Sequence, residues 1–218
     1  MKRVLFLLAV LSLVAAPAGA GVIYNQPPSF PPSLGAWASE TSTGFMMFDN
    51  FVLGSGAAIE SITWQGLYAS STPGAPAPSP TATGFNVGFY SDVGGVPGVP
   101  LSSWFYPVAL THQTFVANSF FAPTDNIAAI YNYALNVTPF AALAGVPYWL
   151  LVQAVTPDSS VRWGWTFGTG GDGVSIQNTT RRLNDEAFSL SNTAVPEPVS
   201  LALLATGLAG VAARRRRL

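Results

Sequence analysis

Hydrophobic and polar residues alternate with a period of two through most of the middle of the chain. Ile62, Trp64 and Tyr68 share one face, with Thr63 and Gln65 on the other. Phe85, Val87 and Phe89 alternate with Asn86, Gly88 and Tyr90, and Tyr131, Tyr133, Leu135 and Val137 with Asn132, Ala134 and Asn136. Val161, Trp163, Trp165 and Phe167 alternate with Arg162, Gly164 and Thr166. Successive side chains of a strand point to opposite faces, so each run predicts a half-buried strand. Residues 148–155 are more continuously apolar and predict a central strand covered on both faces. Pro73, Pro76, Pro78 and Pro80, the run Gly94-Gly95-Val96-Pro97-Gly98, and the glycines of 168–173 supply turns between the strands. Helical patterns are poor: Ala141-Ala142-Leu143-Ala144 makes one turn before Gly145 and Pro147 end it. The expectation is all-β, an antiparallel and jelly-roll-like β-sandwich over residues 21–192, with no repeat of fixed period.

The two ends follow a different pattern. Residues 1–20 begin with Lys2 and Arg3, continue as an apolar run, and close on Ala18-Gly19-Ala20. Small side chains at −3 and −1 fit a signal-peptide cleavage site at Ala18 and Ala20, made by signal peptidase after export through the general secretion machinery. After a linker at 193–198, residues 199–213 form an uncharged stretch, followed by Arg214, Arg215, Arg216 and Arg217. As a helix that stretch is about 22 Å long against a hydrocarbon core of about 30 Å, short but able to span with thinning and snorkelling. The arginines favour the cytoplasmic side and act as a stop-transfer end, so 199–218 is a short transmembrane helix with a basic terminus.

Charge is segregated to match. Residues 21–195 carry three arginines against nine acids, so the central part is strongly acidic although the whole chain has a formal charge of −1. Such a domain has no electrostatic footprint for nucleic acid. Cysteine is absent, which excludes disulfides, thiolate metal sites and cysteine nucleophiles.

Pro196-Glu197-Pro198, a short apolar helix and a terminal arginine cluster together resemble the PEP-CTERM sorting signal of Gram-negative bacteria. The resemblance implies handling by exosortase, an inner-membrane transpeptidase-like enzyme, in organisms that make extracellular polysaccharide. Pro196, Glu197 and Pro198 match the recognition motif. The protein would be anchored transiently in the inner membrane with its domain outside, then reach the cell surface or extracellular matrix. Several central segments, among them Phe48-Asp49-Asn50-Phe51, Trp163-Gly164-Trp165 and Glu186-Ala187-Phe188, resemble a β-sandwich domain recurrent in PEP-CTERM proteins. That second resemblance implies no particular activity.

Candidate chemistry in the middle is sparse. His112 is the one histidine, which excludes sites built on several histidines, and no Gly-x-Ser-x-Gly elbow marks a serine. Hydrolysis by paired carboxylates would have to draw on the nine central acids, most of them beside turn-forming residues. Gly168-x-Gly170-x-x-Gly173 satisfies a dinucleotide pattern, but no periodic helix follows it, so it reads as a loop between strands. No cofactor is expected; a structural Ca²⁺ would draw on Asp92 or Asp172. Ice binding would need a regular threonine array, and Thr41-x-Thr43 and Thr81-x-Thr83 do not repeat. Sugar binding would use aromatic faces, with Trp37, Trp104, Trp163 and Trp165 as candidates. Trp163 and Trp165 share a face with Val161 and Phe167, a pattern that core packing also produces, whereas Trp37 and Trp104 lie nearer turns. The sequence thus reads as an exported, non-enzymatic surface or matrix protein. A carbohydrate-binding module for extracellular polysaccharide is the alternative, with a secreted hydrolase or ice-binding protein behind it.

Overall fold

Each of the period-two runs forms a strand. The computed structural model describes residues 21–193, with β1 (Val22–Gln26), β2 (Ala36–Ala38), β3 (Met47–Val52), β4 (Ala57–Ser70), β5 (Gly84–Asp92), β6 (Pro97–Pro107) and β7 (Thr114–Phe121), then β8 (Asn126–Ala142), β9 (Pro147–Val155), β10 (Val161–Gly168), β11 (Ser175–Gln177), β12 (Thr180–Arg182), β13 (Asp185–Glu186) and β14 (Phe188–Ser191). The strands form two antiparallel sheets, in agreement with the expected sandwich. One runs β12-β11-β3-β9-β5-β6. In the other, β4 pairs along its length with β8, which pairs in turn with the edge strand β7. The opposite edge of β4 is shared: β14 pairs with its first half, and β10 with its second. Beyond them lie β1 on β14, and β2 and β13 on β10.

The core between the sheets is built from the inward positions the periodicity marks. Ile62, Trp64 and Tyr68 of β4, Phe85, Val87 and Phe89 of β5, Tyr133 and Leu135 of β8, and Phe188 and Leu190 of β14 are all buried there. Trp64 stacks on Tyr133 at 5.1 Å between ring centroids, and Phe85 meets both rings edge-on. Such pairs add about 0.5–1.5 kcal/mol each beyond the burial of area. In β9, every residue from Tyr148 to Ala154 is buried, as expected of a strand covered on both faces. Its outward residues Trp149 and Leu151 pack with Phe48 and Ile176. On the outer face of the β4 sheet, Leu67, Ala69, Ala128 and Ile130 are covered by Phe121 and by Phe30 and Leu34 of the preceding loop.

Two local expectations are corrected. Ala141 and Ala142 end β8, opposite Ala58 and Ala57, and form no helical turn. The β4–β8 ladder supplies backbone partners that one isolated turn cannot, because helix nucleation is costly. Strand β6 begins at Pro97, inside the predicted turn 94–98, after a tight reversal with Gly94 and Gly95 at φ of 64° and 83°. Its prolines are tolerated because β6 is an edge strand. Among the described residues no helix is long and apolar enough to cross a membrane. The cleavage site at Ala18 and Ala20, the motif Pro196-Glu197-Pro198, the apolar stretch 199–213 and Arg214 to Arg217 lie outside the described residues.

Candidate functional site

The four tryptophans proposed for sugar stacking separate sharply. Trp163 and Trp165 are fully buried, which corrects their reading as a binding surface. Strand alternation turns both rings between the sheets. Trp163 Nε1 donates to the Tyr133 hydroxyl at 3.3 Å, and Trp165 Nε1 to the Ala187 carbonyl at 2.9 Å. Trp37 is half-buried, with its ring against Phe167 and the Arg182 guanidinium 4.0 Å from the ring centroid. Trp104, on edge strand β6, is 53% exposed, and its indole nitrogen donates to Ser102 Oγ at 2.9 Å, which steadies the ring. Arg162 is tied inward, its Nε donating to Glu40 Oε1.

Four of the nine central acids, Glu40, Asp49, Asp185 and Glu186, are buried rather than exposed turn formers. Glu40 is satisfied: besides Arg162, it accepts from the Trp163 N–H at 2.6 Å and the Thr43 hydroxyl at 3.2 Å. Asp49 accepts from the Glu186 N–H at 2.5 Å and the Asn50 N–H at 2.8 Å, and Glu186 accepts from the Ser175 hydroxyl at 3.4 Å. The second Glu186 oxygen is buried without a partner. Burial raises both the Asp49 and the Glu186 carboxyl well above the ordinary range; Asp185 and Asp172 add to the effect at Asp49, and Asp49 and Asp185 at Glu186. This pair sits inside the sandwich, buried from solvent.

The glycine loop between β10 and β11 holds an anion after all, namely the protein's own. The N–H groups of Gly171 and Gly173 donate to the Asp185 carboxylate at 3.0 and 2.7 Å. A Cβ at Gly171 would lie 2.6 Å from Asp185 Oδ1, so the backbone approaches only because the residue is glycine. The carboxylates considered for Ca²⁺ are likewise engaged. Asp92 accepts from Trp149 Nε1 and the Gly95 N–H, and Asp172 from Asn50 Nδ2 and the Val174 N–H. Among the described residues no group of three or more His, Asp or Glu side chains is arranged to hold a metal ion.

A cavity of about 370 Å³ opens on the outer face of the β4 sheet, beside the part covered by Phe30 and Leu34. The face changes character there: Leu67 and Ile130 give way along β4 and β8 to Thr63, Gln65, Asn132 and Ala134. Ser189 of β14 and Thr114 of β7 border it, as does His112, whose backbone pairs with Ala134. Gln65 is held between neighbours, its Nε2 donating to Asn132 Oδ1 at 3.1 Å and its Oε1 accepting from the Thr166 hydroxyl at 3.2 Å. Sequence reasoning passed over these residues because polar positions on a half-buried strand read as solvated surface.

A family model described as "Domain of unknown function (DUF7901)" matches residues 22–199, which is most of the chain. The chain belongs to the DUF7901 family. A second model, the PEP-CTERM protein-sorting motif, matches residues 194–217, so this DUF7901 chain carries the sorting signal that its C-terminus resembles. That motif marks a protein for export and for exosortase processing at the membrane. No curated protein matches the chain. In the DUF7901 domain Ser61 Oγ donates to the Thr193 carbonyl at 2.8 Å, holding the last described residue against β4 just before the motif begins.

Proposed function

We propose that this DUF7901 protein is an exported, non-enzymatic component of the cell surface or extracellular polysaccharide matrix of a Gram-negative bacterium. The match to the PEP-CTERM motif at 194–217 carries the reading. Signal peptidase removes the leader after Ala20. Residues 199–213 then enter the inner membrane with Arg214 to Arg217 inside, leaving the sandwich outside. Exosortase recognises Pro196-Glu197-Pro198 and transfers the domain outward. Protease treatment of intact host cells tests this: the domain is digested from wild-type cells and protected in cells lacking exosortase. Equal digestion in both strains contradicts it.

Carbohydrate binding is the second reading. It is favoured by a cavity on the outer face of the β4 sheet lined with amides and hydroxyls. It makes the protein a matrix-gripping module rather than a passive one.

A further inference from the structure

We infer that the outer-face cavity, and not the Trp104 edge, is a binding site for a neutral saccharide. The inference deepens the carbohydrate-binding reading and rests on it. Among the described residues no carboxylate, lysine or arginine borders the cavity, although the domain around it is acidic. An ionic ligand would find no counter-charge there, whereas a neutral polyhydroxylated one needs none.

The hydrogen-bonding groups are poised for such a ligand. The chain from Thr166 through Gln65 fixes the Asn132 amide, because Asn132 Oδ1 accepts from Gln65 Nε2. Asn132 Nδ2 is thereby presented as a donor, with no partner among the described residues. The hydroxyls of Thr63 and Thr114 and the His112 ring also border the cavity without a side-chain partner among the described residues, and Ser189 Oγ, which donates to Asn25 Oδ1, retains its acceptor capacity. Donors and acceptors thus share one concavity, as the hydroxyls of a sugar ring require. Pro28, Ala134 and Ala187 add apolar surface for its C–H groups.

A peptide is a poorer fit. β4, β8 and β14 are interior strands there, with their backbone groups committed to the ladders, whereas peptide strands add to free edges. The volume of about 370 Å³ lies at the low end of the range for small-ligand sites, about 300–1,000 Å³.

Calorimetry on the full exported chain in detergent, titrated with glucose, galactose, mannose, cellobiose and glucuronate, tests the inference. The expected result is that a neutral sugar binds in preference to glucuronate. Asn132→Asp keeps the acceptor for Gln65 but removes the Nδ2 donor, and it weakens binding at least about tenfold, while Trp104→Ala leaves binding unchanged. If Asn132→Asp lowers the melting temperature, Thr114→Val on the exposed edge strand carries the same comparison. Failure of every neutral sugar to bind, preference for glucuronate, or loss of binding in Trp104→Ala alone would overturn the assignment. The readout is affinity in vitro, so it fails or succeeds independently of where the cell sends the protein.

Discussion

Asp49 and Glu186 meet in the interior with no cation beside them; the ion pair between Arg162 and Glu40 is the one among the described residues. Two ionised carboxylates in that setting would be costly, so the folded state holds protons that an unfolded chain releases above the ordinary carboxylate pKa of about 4. The sign follows: the raised values contribute stability that is fully present below about pH 4 and is lost as pH rises toward the folded-state values. The stability of the wild type, and with it the melting temperature, should therefore fall as pH rises above about 4, by at most about 1.4 kcal/mol per proton per pH unit. The double variant Asp49→Asn, Glu186→Gln should flatten that slope, and identical slopes would contradict the assignment. Glu40, equally buried, has both oxygens engaged. Glu40→Ala orphans the Trp163 N–H and frees Arg162, with an expected loss of about 3 kcal/mol in urea denaturation. None of this was legible from neighbours in sequence. Asp49 precedes an asparagine and Asp185 follows one, as turn formers do; the meeting of β3 with β13 buries Asp49, and the glycine loop folds against Asp185.

At the scale of elements, the β4–β8–β10 region shows how one glycine sets a strand interface. Gly66 faces inward between Trp64 and Tyr68, and a Cβ there would lie 2.4 Å from the Trp163 ring. Gly66→Ala should therefore destabilise by about 1–3 kcal/mol, whereas Gly54→Ala, with open space around it, should change stability by less than about 0.5 kcal/mol. Equal effects in chemical denaturation would show that the ring does not occupy that position. Trp163→Ala should cost about 3–5 kcal/mol and Trp104→Ala little, since one ring is enclosed and the other is not. The long strands were legible because alternation over several residues leaves few other structures possible. Short strands such as β2, β11 and β13 were not, because two or three residues carry no period. Edge strands β6 and β7 were obscured for another reason. Val99, Leu101, Phe105, Phe115 and Phe120 are exposed there, so the apolar positions do not mark the core. The cavity was hidden in the same way, since nothing in the sequence says that Gln65 and Asn132 are opposite one another across β4 and β8.

The whole molecule divides its tasks along the chain. Its termini hold most of the cations, its C-terminus holds the sorting motif, and its acidic middle holds the sandwich. The sorting motif was legible because it is linear: three motif residues, an apolar stretch and four arginines follow one another in the sequence. The proposed ligand site is not linear, since it joins residues of β4, β7, β8 and β14 that only the pairing of one sheet brings together. The central claim is that the C-terminal segment is a processing signal rather than a permanent anchor. The measurement that tests it most directly is the intact mass of the mature protein from its host, with and without exosortase, beside a Glu197→Ala variant. The account predicts a shortened chain lacking Arg214 to Arg217 in the wild type, and an unprocessed C-terminus in the other two. One identical mass in all three would contradict it and leave the tail a simple membrane anchor.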